Sequence, residues 1–489
     1  MSVLDRTILE IHKAYINKEV TPIELTLEAI KRAKEDKNNA IEILDEVGAI
    51  DFASSLKEVE IDNPLWGIPF FCKDNFSTKG IETTASSNVL NGYVPVFDAE
   101  VVTRLKQKKA IMIGKSTMDE LAMGGTGTTG HKGKTFNPYD ETHTRMVGGS
   151  SCGSAALTSA GVVPFSTGSD TGDSVRKPAA YAGLVGMKPT WGRISRFGLF
   201  PFAPSLDHVG YFTRSVKDSA VLLNALAGRD EKDSTSSTVE VPNYLTHIDD
   251  SIKGRKIAVI KEINESVSDK KLLSSFEKGV EKLKEEGAIV DYVSFPLELL
   301  KAIYPAYIVI SCAEATSNDA NLDGIKFGPN YGGNSYQEVM MNARTKGFSE
   351  LIKRRFVIGS FALMRENQDV LFLRATKVRA KIVEKVNEIL SSYDAILTPA
   401  APNVAPLFEG SSNKLSSEYL IADNQLALGN FAGLPSITLP LTLENSLPLG
   451  VNFMGRKFEE SLLFNIANKF EENSGLSNLS VLNKKEGNL

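Results

Sequence analysis

Cysteine is scarce in this chain of 489 residues: only Cys72, Cys152 and Cys312 are present, far apart and without a CxxC spacing. A disulfide framework needs several paired cysteines, and a zinc site needs ligands at short intervals, so the sequence excludes both. The low cysteine content is typical of a reducing compartment. We therefore expect neither a disulfide framework nor a metal site in this chain.

Long apolar runs, a cleavable leader and an excess of positive charge are also missing. No stretch approaches the roughly 20 apolar residues of a transmembrane helix, and the amphipathic N-terminus has no small-residue cleavage pattern. A net charge of -5 makes nucleic-acid binding unsuitable as the main function of this chain. We expect a cytoplasmic protein that does not cross a membrane.

What is present is an ordinary globular composition, with 42% hydrophobic and 24% charged residues. A chain of this length can form one large α/β domain or two domains. Predicted strands at 256–261 and 288–293 flank a predicted helix at about 269–286, which is an α/β alternation. The polar, Ser/Thr-rich segment 230–238 is a candidate subdomain boundary.

Two Gly/Ser-rich loops lie close together in the segment 146–178, which reads MVGGSSCGSAALTSAGVVPFSTGSDTGDSVRKP. Glycine lets the backbone approach a ligand, and consecutive N–H groups can then hold a phosphate or a developing oxyanion. The small, apolar run 155–165 indicates that buried structure anchors both loops. We interpret the segment as a site that surrounds one carbonyl with serine hydroxyls and N–H groups; two surface turns are the alternative.

Lys73 is the second candidate, because it ends the apolar run LWGIPFFCKDN at 65–75. Such a run is typical of a buried strand that delivers polar residues to a site at its end. Burial behind Phe70, Phe71 and Cys72 would lower the pKa of the lysine and favour a neutral amine. The alternative is a side chain that extends to solvent.

Two common sequence motifs are present only in part, either in their residues or in their context. The GKT at 133–135 is not a P-loop, because Thr128 stands where a glycine is required and no strand leads into the loop. The pattern at 149–153 fits G-x-S-x-G, but no hydrophobic strand precedes Ser151, and His208 alone of five histidines has site-like loop neighbours. A lysine that draws a proton through one serine from a second fits these residues better than a Ser-His-Asp triad.

The combination of GIPFFCKDN, GGSSCGS and GSDTGDSVRKPAAYAGLVGMKPT resembles the amidase signature family over nearly the whole chain. The resemblance implies a Ser-Ser-Lys triad, with Ser174 as the acylated nucleophile, Ser150 as the bridging serine held by a cis peptide, and Lys73 as the base. By the same resemblance, the oxyanion hole consists of the backbone N–H groups of Thr171, Gly172, Asp173 and Ser174.

The fold that the resemblance implies is α/β: a single large domain with a mixed, twisted central sheet covered by helices on both faces. We expect residues 1–62 to form an N-terminal helical segment, residues 63–475 the amidase signature domain, and residues 476–489 a C-terminal tail that is frayed.

Within the family, the segments STMDELAMGGTGTTG, AEATSNDANLDGIKFG and KRRFVIGSFAL resemble the A subunits of tRNA-dependent amidotransferases. This implies a glutaminase that releases ammonia and passes it through a tunnel to a partner, where ATP activates misacylated Glu-tRNA(Gln) or Asp-tRNA(Asn). The implied partners are the B and C subunits, with charged tRNA contacted mainly through the partner. No cofactor is expected in this chain, and ATP and Mg²⁺ are expected in the partner subunit.

The resemblance also implies a glutamine pocket, in which Arg355 binds the α-carboxylate, Asp423 the α-ammonium, and Tyr307 lines the wall. An amino-acid zwitterion needs one cation and one anion at opposite ends, so the residue types are suitable. Arg354 is an alternative to Arg355.

Three positions depart from the family pattern: Asp173 and Cys152 replace glycines, and Lys177 replaces a glutamine. A carboxylate beside an oxyanion opposes the negative charge that develops there. We hypothesise that Asp173 points away from the substrate and pairs with Lys177 four residues on; the alternative is neutral drift at two exposed positions. A stand-alone amidase on a small carboxamide, and a silent structural subunit disabled by Asp173, remain alternative functions.

Overall fold

The computed structural model describes residues 2–410, 414–484 and 487–489. They form a single α/β domain around an 11-stranded mixed sheet, so the predicted fold class is confirmed. The strands are β1 (Ile41–Leu44), β2 (Pro69–Lys73), β3 (Ile111–Ser116), β4 (Phe165–Asp170), β5 (Val185–Lys188), β6 (His208–Thr213), β7 (Lys256–Ile260), β8 (Ile289–Val293), β9 (Ala395–Pro399), β10 (Ser436–Glu444) and β11 (Leu447–Gly455).

Helices account for most of the remaining chain. The α-helices of the described residues are α1 (Ile8–Ile16), α2 (Pro22–Lys34), α3 (Glu46–Ser55), α4 (Glu100–Gln107), α5 (Cys152–Ser159), α6 (Arg176–Ala182), α7 (Val216–Leu226), α8 (Lys261–Glu265), α9 (Lys270–Glu285), α10 (Leu297–Lys301), α11 (Ile303–Asn318), α12 (Tyr336–Gly347), α13 (Glu350–Leu363), α14 (Phe372–Leu390), α15 (Ala427–Ala432) and α16 (Glu460–Ser474). Short 3₁₀ segments lie at Val3–Asp5, Asn88–Leu90, Glu120–Ala122, Asp319–Asn321 and Val481–Asn483, and Glu418–Ala422 forms a π-helical turn.

The order of the strands brings Lys73 and the second Gly/Ser-rich loop to the same edge of the sheet. Along the sheet the order is β1-β3-β2-β4-β6-β5-β10-β11-β9-β7-β8. Strand β2 is parallel to β4, with Phe71 opposite Ser166. Because the carboxyl ends of parallel strands lie at the same edge, Lys73 at the end of β2 lies beside the last residues of β4.

Apolar side chains cover both faces of the sheet. On β7, Ile257 and Val259 belong to one large core cluster, while Ala258 and Ile260 belong to the other. Successive side chains of a strand point to opposite faces, so this alternation shows that both faces are buried. Both faces of the sheet are therefore packed against apolar side chains at β7.

The two ends of the chain are part of the domain. Within the N-terminal segment 1–62, β1 pairs antiparallel with β3 and extends the sheet. At the other end, Leu479 and Leu489 are buried; residues 485 and 486 of the predicted tail lie outside the described residues. The expectation of a frayed tail is wrong for its described part, because apolar side chains anchor it.

One helical stretch of the described chain, Leu297–Asn321, is long and apolar enough to cross a membrane by length and composition, with a mean hydropathy of 1.2. The expectation that no stretch approaches this length is therefore wrong. The stretch is divided between α10, α11 and a 3₁₀ turn, and α11 packs against α13 and α14. Its buried residues, including Ile310 and Cys312, contribute to the packing of these helices.

Candidate active site

Lys73 lies in a pocket of hydroxyl groups with no exposure to solvent. Its Nζ is 2.8 Å from Ser150 Oγ and 2.9 Å from the Oγ atoms of both Ser151 and Ser169. Burial lowers the pKa of Lys73 from its ordinary value to about 7, although nearby acidic groups oppose the shift. The alternative of a solvent-extended lysine is wrong, and the neutral amine is accessible near neutral pH.

The three hydroxyls differ in their other partners. Ser151 Oγ donates to the carbonyl oxygen of Ser169 at 3.2 Å, and Asn75 Nδ2 donates to Ser169 Oγ at 2.9 Å. In the described part of the chain, Ser150 Oγ has Lys73 as its hydrogen-bond partner and no other. A neutral amine has two N–H donors and one lone pair. This pattern suits donation to Ser151 and Ser169, with the lone pair directed at Ser150.

Ser150 and Ser174 lie on the two Gly/Ser-rich loops, which contact each other. The peptide bond between Gly149 and Ser150 is cis, and the N–H of Ser151 donates to the carbonyl oxygen of Ser174 at 3.3 Å. Ser174 is buried, with 4% exposure. Among the described residues, no hydrogen bond joins the hydroxyl of Ser174 to Ser150 or Lys73, so the structure brings together two of the three predicted triad side chains by direct contact.

The turn before α6 presents a row of backbone amides. The N–H groups of residues 171–174 donate no hydrogen bond to any described protein atom. An uncommitted row of N–H groups beside a serine is the arrangement needed to stabilise an oxyanion. These N–H groups are free to act as donors, and the oxyanion hole at residues 171–174 stays a prediction.

A buried ion pair holds this turn in place. Arg176 Nη2 lies 2.9 Å from Asp170 Oδ1 and also donates to the carbonyl oxygen of Gly172 at 2.9 Å. Asp170 accepts from the N–H of Val175 at 3.0 Å, and Asn430 Nδ2 donates to the carbonyl oxygen of Asp170 at 3.1 Å. Burial raises the pKa of Asp170, but Arg176 outweighs burial and holds the pKa well below its ordinary value.

Asp119, which the sequence analysis did not identify, organises the loop of residues 126–129. Its carboxylate accepts the N–H groups of residues 126–129 at 2.9 to 3.1 Å. The N–H of Asp119 donates to the carbonyl oxygen of Ser150 at 3.1 Å, and a Cβ on Gly149 would lie 2.0 Å from Asp119 Oδ2. The loop of residues 126–129 therefore surrounds an internal carboxylate, and the backbone of the same Asp119 holds the peptide of Ser150 in place.

A cavity of about 800 Å³ opens next to the turn of residues 171–174. Its wall includes all the residues predicted for the glutamine pocket, together with two of the three residues that depart from the family pattern: Asp173, Lys177, Tyr307, Arg355 and Asp423. One guanidinium nitrogen of Arg355, Nη1, is buried without a hydrogen-bond partner in the described chain. Arg354 is exposed and does not line the cavity, so the geometry favours Arg355 as the cation.

Asp173 and Lys177 form the predicted pair, with Nζ 2.7 Å from Oδ2. Lys177 also lies 3.2 Å from Asp423 Oδ1 and donates to the carbonyl oxygen of Asp423. The two positions are not exposed, as the alternative of neutral drift assumed, because the side chains of Lys177 and Asp173 are 8% and 20% exposed. Asp173 also lines the cavity, and its orientation relative to a substrate stays a prediction.

His208 does not serve the site as a base. It begins β6 rather than lying in a loop, and its Nδ1 contacts the carbonyl oxygen of Leu206 at 2.6 Å. Burial holds the pKa of His208 well below its ordinary value. Within the described chain, Ser151, the residue of the G-x-S-x-G pattern, forms a hydrogen bond with Lys73 and with no histidine. No group of three or more potential metal-ligating side chains occurs among the described residues.

Comparisons with known proteins agree with this geometry. A profile of the amidase family matches residues 23–464. The A subunit of glutamyl-tRNA(Gln) amidotransferase from Staphylococcus saprophyticus is 42% identical over 466 residues, covering 93% of this chain and 94% of that protein. The protein of the same name from Streptococcus pneumoniae is 40% identical over 481 residues, covering 97% of each. The crystal structure of the Thermotoga maritima protein of this name superposes with a TM-score of 0.80 at 37% identity, covering 99% of this chain and 97% of that one. The predicted resemblance is confirmed, and the chain belongs to the amidase signature family.

Proposed function

We propose that this chain is the glutaminase subunit of a tRNA-dependent amidotransferase, and that it hydrolyses glutamine through Lys73, Ser150 and Ser174. The observation that supports this most directly is the buried Lys73 amine, 2.8 Å from Ser150 Oγ and at the edge of a turn with uncommitted N–H groups. The identity of 42% to the A subunit of a glutamyl-tRNA(Gln) amidotransferase supports the choice of reaction.

In this proposal the Oγ of Ser174 attacks the carboxamide carbon of glutamine. Its proton passes to Ser150, while Ser150 gives its own proton to the neutral Lys73. The N–H groups of residues 171–174 stabilise the oxyanion, and each such donor is typically worth about 3 kcal/mol of transition-state stabilisation. The proton then returns through Ser150 to the leaving nitrogen, which departs as ammonia. Water hydrolyses the remaining γ-glutamyl ester and releases glutamate.

The cavity supplies the recognition of glutamine. Arg355 pairs with the α-carboxylate, Asp423 with the α-ammonium, and Tyr307 lines the wall. Tyr307 lies against the turn itself, because a Cβ on Gly172 would lie 3.0 Å from its ring. This contact couples the wall of the pocket to the amides that stabilise the oxyanion.

The released ammonia is consumed in a partner, by our proposal the B subunit held with a C subunit. There ATP and Mg²⁺ activate Glu-tRNA(Gln) or Asp-tRNA(Asn), and charged tRNA is contacted mainly through the partner. This chain needs no cofactor for the steps above. Its three cysteines are free thiols, which suits a cytoplasmic location.

The test is ammonia release from glutamine by the purified chain, alone and with partner subunits, ATP and charged tRNA. The control is the Ser174→Ala variant under the same conditions. Release that the partners stimulate and that Ser174→Ala abolishes supports the proposal. Equal release without partners, and on small carboxamides, would favour a stand-alone amidase, whereas no release under any condition would favour a silent subunit.

A further inference from the structure

Lys177 lies between two carboxylates on the wall of the cavity. Its Nζ is 2.7 Å from Asp173 Oδ2 and 3.2 Å from Asp423 Oδ1. The Lys177 side chain is 8% exposed, while the side chains of Asp173 and Asp423 are 20% and 28% exposed. Burial lowers the pKa of Lys177, but the two carboxylates outweigh burial and raise it above its ordinary value. Lys177 is therefore a buried ammonium that needs at least one anionic partner.

This contact creates a conflict at the subsite proposed for the α-ammonium of glutamine. Asp423 would have to pair with the substrate, yet it already pairs with a protein ammonium. A second cation, Arg355, lines the same cavity. Lys414 and Glu418 line the cavity as well, so its wall carries three cations and three carboxylates. These charges balance one another, and a bound zwitterion keeps the balance if each of its charges finds one partner.

We propose that Lys177 is a specificity-determining residue that exchanges partners: it bridges Asp173 and Asp423 in the free protein, and pairs with Asp173 alone when an α-ammonium binds Asp423. This inference rests on the proposed glutaminase pocket. Asp173 is then a positioning residue, because it acts on the ligand through Lys177. The exchange favours ligands that carry an α-ammonium over those that carry only the carboxylate and the carboxamide.

The role of Asp173 follows from the cost of burying an unpaired charge. Without a carboxylate at 173, Asp423 would be the one acidic partner left to Lys177 among the residues that the structure describes. A ligand ammonium could then bind Asp423 only by competing for the last carboxylate partner of Lys177, which would keep the carbonyl oxygen of Asp423. A buried charge without an anionic partner is strongly unfavourable. With Asp173 present, the ion pair at 2.7 Å remains when Asp423 is released.

The experiment measures binding rather than turnover, in the full chain carrying Ser174→Ala. Calorimetry gives Kd values for glutamine and for glutaramate, which is glutamine without its α-amino group. The selectivity ratio is the Kd of glutaramate divided by the Kd of glutamine. Adding Asp173→Asn should lower this ratio at least about tenfold, because the ligand ammonium must then compete with Lys177 for Asp423.

A double-mutant cycle separates exchange from general electrostatics. In a Lys177→Met background, Asp173→Asn should change the ratio less than about threefold, because Asp173 acts through Lys177. In the same background, Asp423→Asn should still lower the ratio at least about tenfold, because the ligand ammonium loses its own partner. A destabilised fold would weaken the binding of both ligands together and would leave the ratio in place.

The proposal is overturned if Asp173→Asn lowers the ratio equally with and without Lys177, or if glutamine binds none of these proteins. Its outcome is distinct from that of the glutaminase proposal. If the ratios shift as expected while the chain with Ser174 intact releases no ammonia with its partners, the exchange stands and the assignment of the reaction fails.

Discussion

The amine of Lys73 and the hydroxyl oxygen of Ser150 are 2.8 Å apart in a pocket that excludes solvent. Burial lowers the pKa of this lysine to about 7. A base must be unprotonated to accept a proton, so the fraction of active enzyme depends on pH around this value.

We expect kcat/KM for glutamine to rise about tenfold per pH unit below pH 7 and to level off above about pH 8. The rise reflects deprotonation of Lys73, whose pKa is about 7. Initial rates of ammonia release between about pH 5.5 and 8.5 measure this profile. A rate that stays constant down to about pH 6, or one still rising tenfold per unit at about pH 8.5, contradicts a neutral Lys73 as the base.

The lowered pKa of Lys73 also predicts how the stability of the fold depends on pH. The folded pKa of about 7 lies below the ordinary value of 10.5, so between these values the unfolded chain binds a proton that the folded chain does not. The contribution of Lys73 to the free energy of unfolding therefore falls as pH drops from 10.5 to 7, and is constant below 7.

A Lys73→Met variant lacks this titration and should gain stability relative to the natural chain as pH falls from about 10 to about 7. The change is at most about 5 kcal/mol, because each pKa unit corresponds to about 1.4 kcal/mol. Urea unfolding of both proteins at about pH 7 and about pH 10 measures it. A stability difference that is the same at both pH values counts against a shifted lysine.

The pair of Asp173 and Lys177 predicts a compensating double substitution. Lys177→Gln leaves Asp173 unpaired beside the oxyanion, where its charge opposes the transition state. We expect this variant to lose more glutaminase kcat than the double variant Asp173→Gly, Lys177→Gln, which restores the residues usual in the family. Equal or reversed losses in steady-state assays would refute the pairing as a functional unit.

Local patterns identified the parts of the site that lie close together in sequence. Lys73 follows an apolar run, and a run of five buried residues forms β2. Similarly, the local sequence Thr21-Pro22-Ile23-Glu24 is typical of a helix start, and Thr21 and Glu24 form a capping box at the beginning of α2. In these places the local structure depends on residues that are neighbours in the chain, so the hydrophobic pattern and the capping residues are enough to predict it.

The supports of the site depend on contacts that no local pattern encodes. Ser169 contacts Lys73, which is 96 residues away, and Asp170 contacts Asn430, which is 260 residues away. A polar residue at the end of a buried strand was the available signal for Ser169. The sequence signal for Asp119 was weaker than the signal for Ser169. A Gly/Thr-rich loop is expected to bind an anion from solution, whereas here the loop binds the carboxylate of Asp119.

Arg355 and Arg354 offer a matched pair of substitutions. Arg355→Gln should raise KM for glutamine about 10- to 100-fold, since a charge-assisted contact is worth about 1.5–3 kcal/mol. Arg354→Gln should change KM less than about threefold, because Arg354 is exposed and away from the cavity. Steady-state kinetics distinguish the two. If Arg354→Gln has the larger effect, Arg355 is not the residue that binds the carboxylate.

Two of the serines around Lys73, Ser150 and Ser169, should differ in their effect on turnover. Ser150→Ala removes the proposed path of the proton and should lower kcat at least about 1000-fold, as loss of a triad member does. Ser169→Ala removes only a hydrogen bond that orients the amine, which predicts a loss of about 3- to 10-fold. Ser116→Ala is the control, because Ser116 is a buried serine whose hydroxyl contacts Ser154 at 2.7 Å instead of Lys73. Single-turnover assays, with thermal unfolding as a check on folding, compare the variants. Losses of similar size for Ser150→Ala and Ser169→Ala would mean that Ser150 also only orients the amine, and that the proton leaves Ser174 by another route.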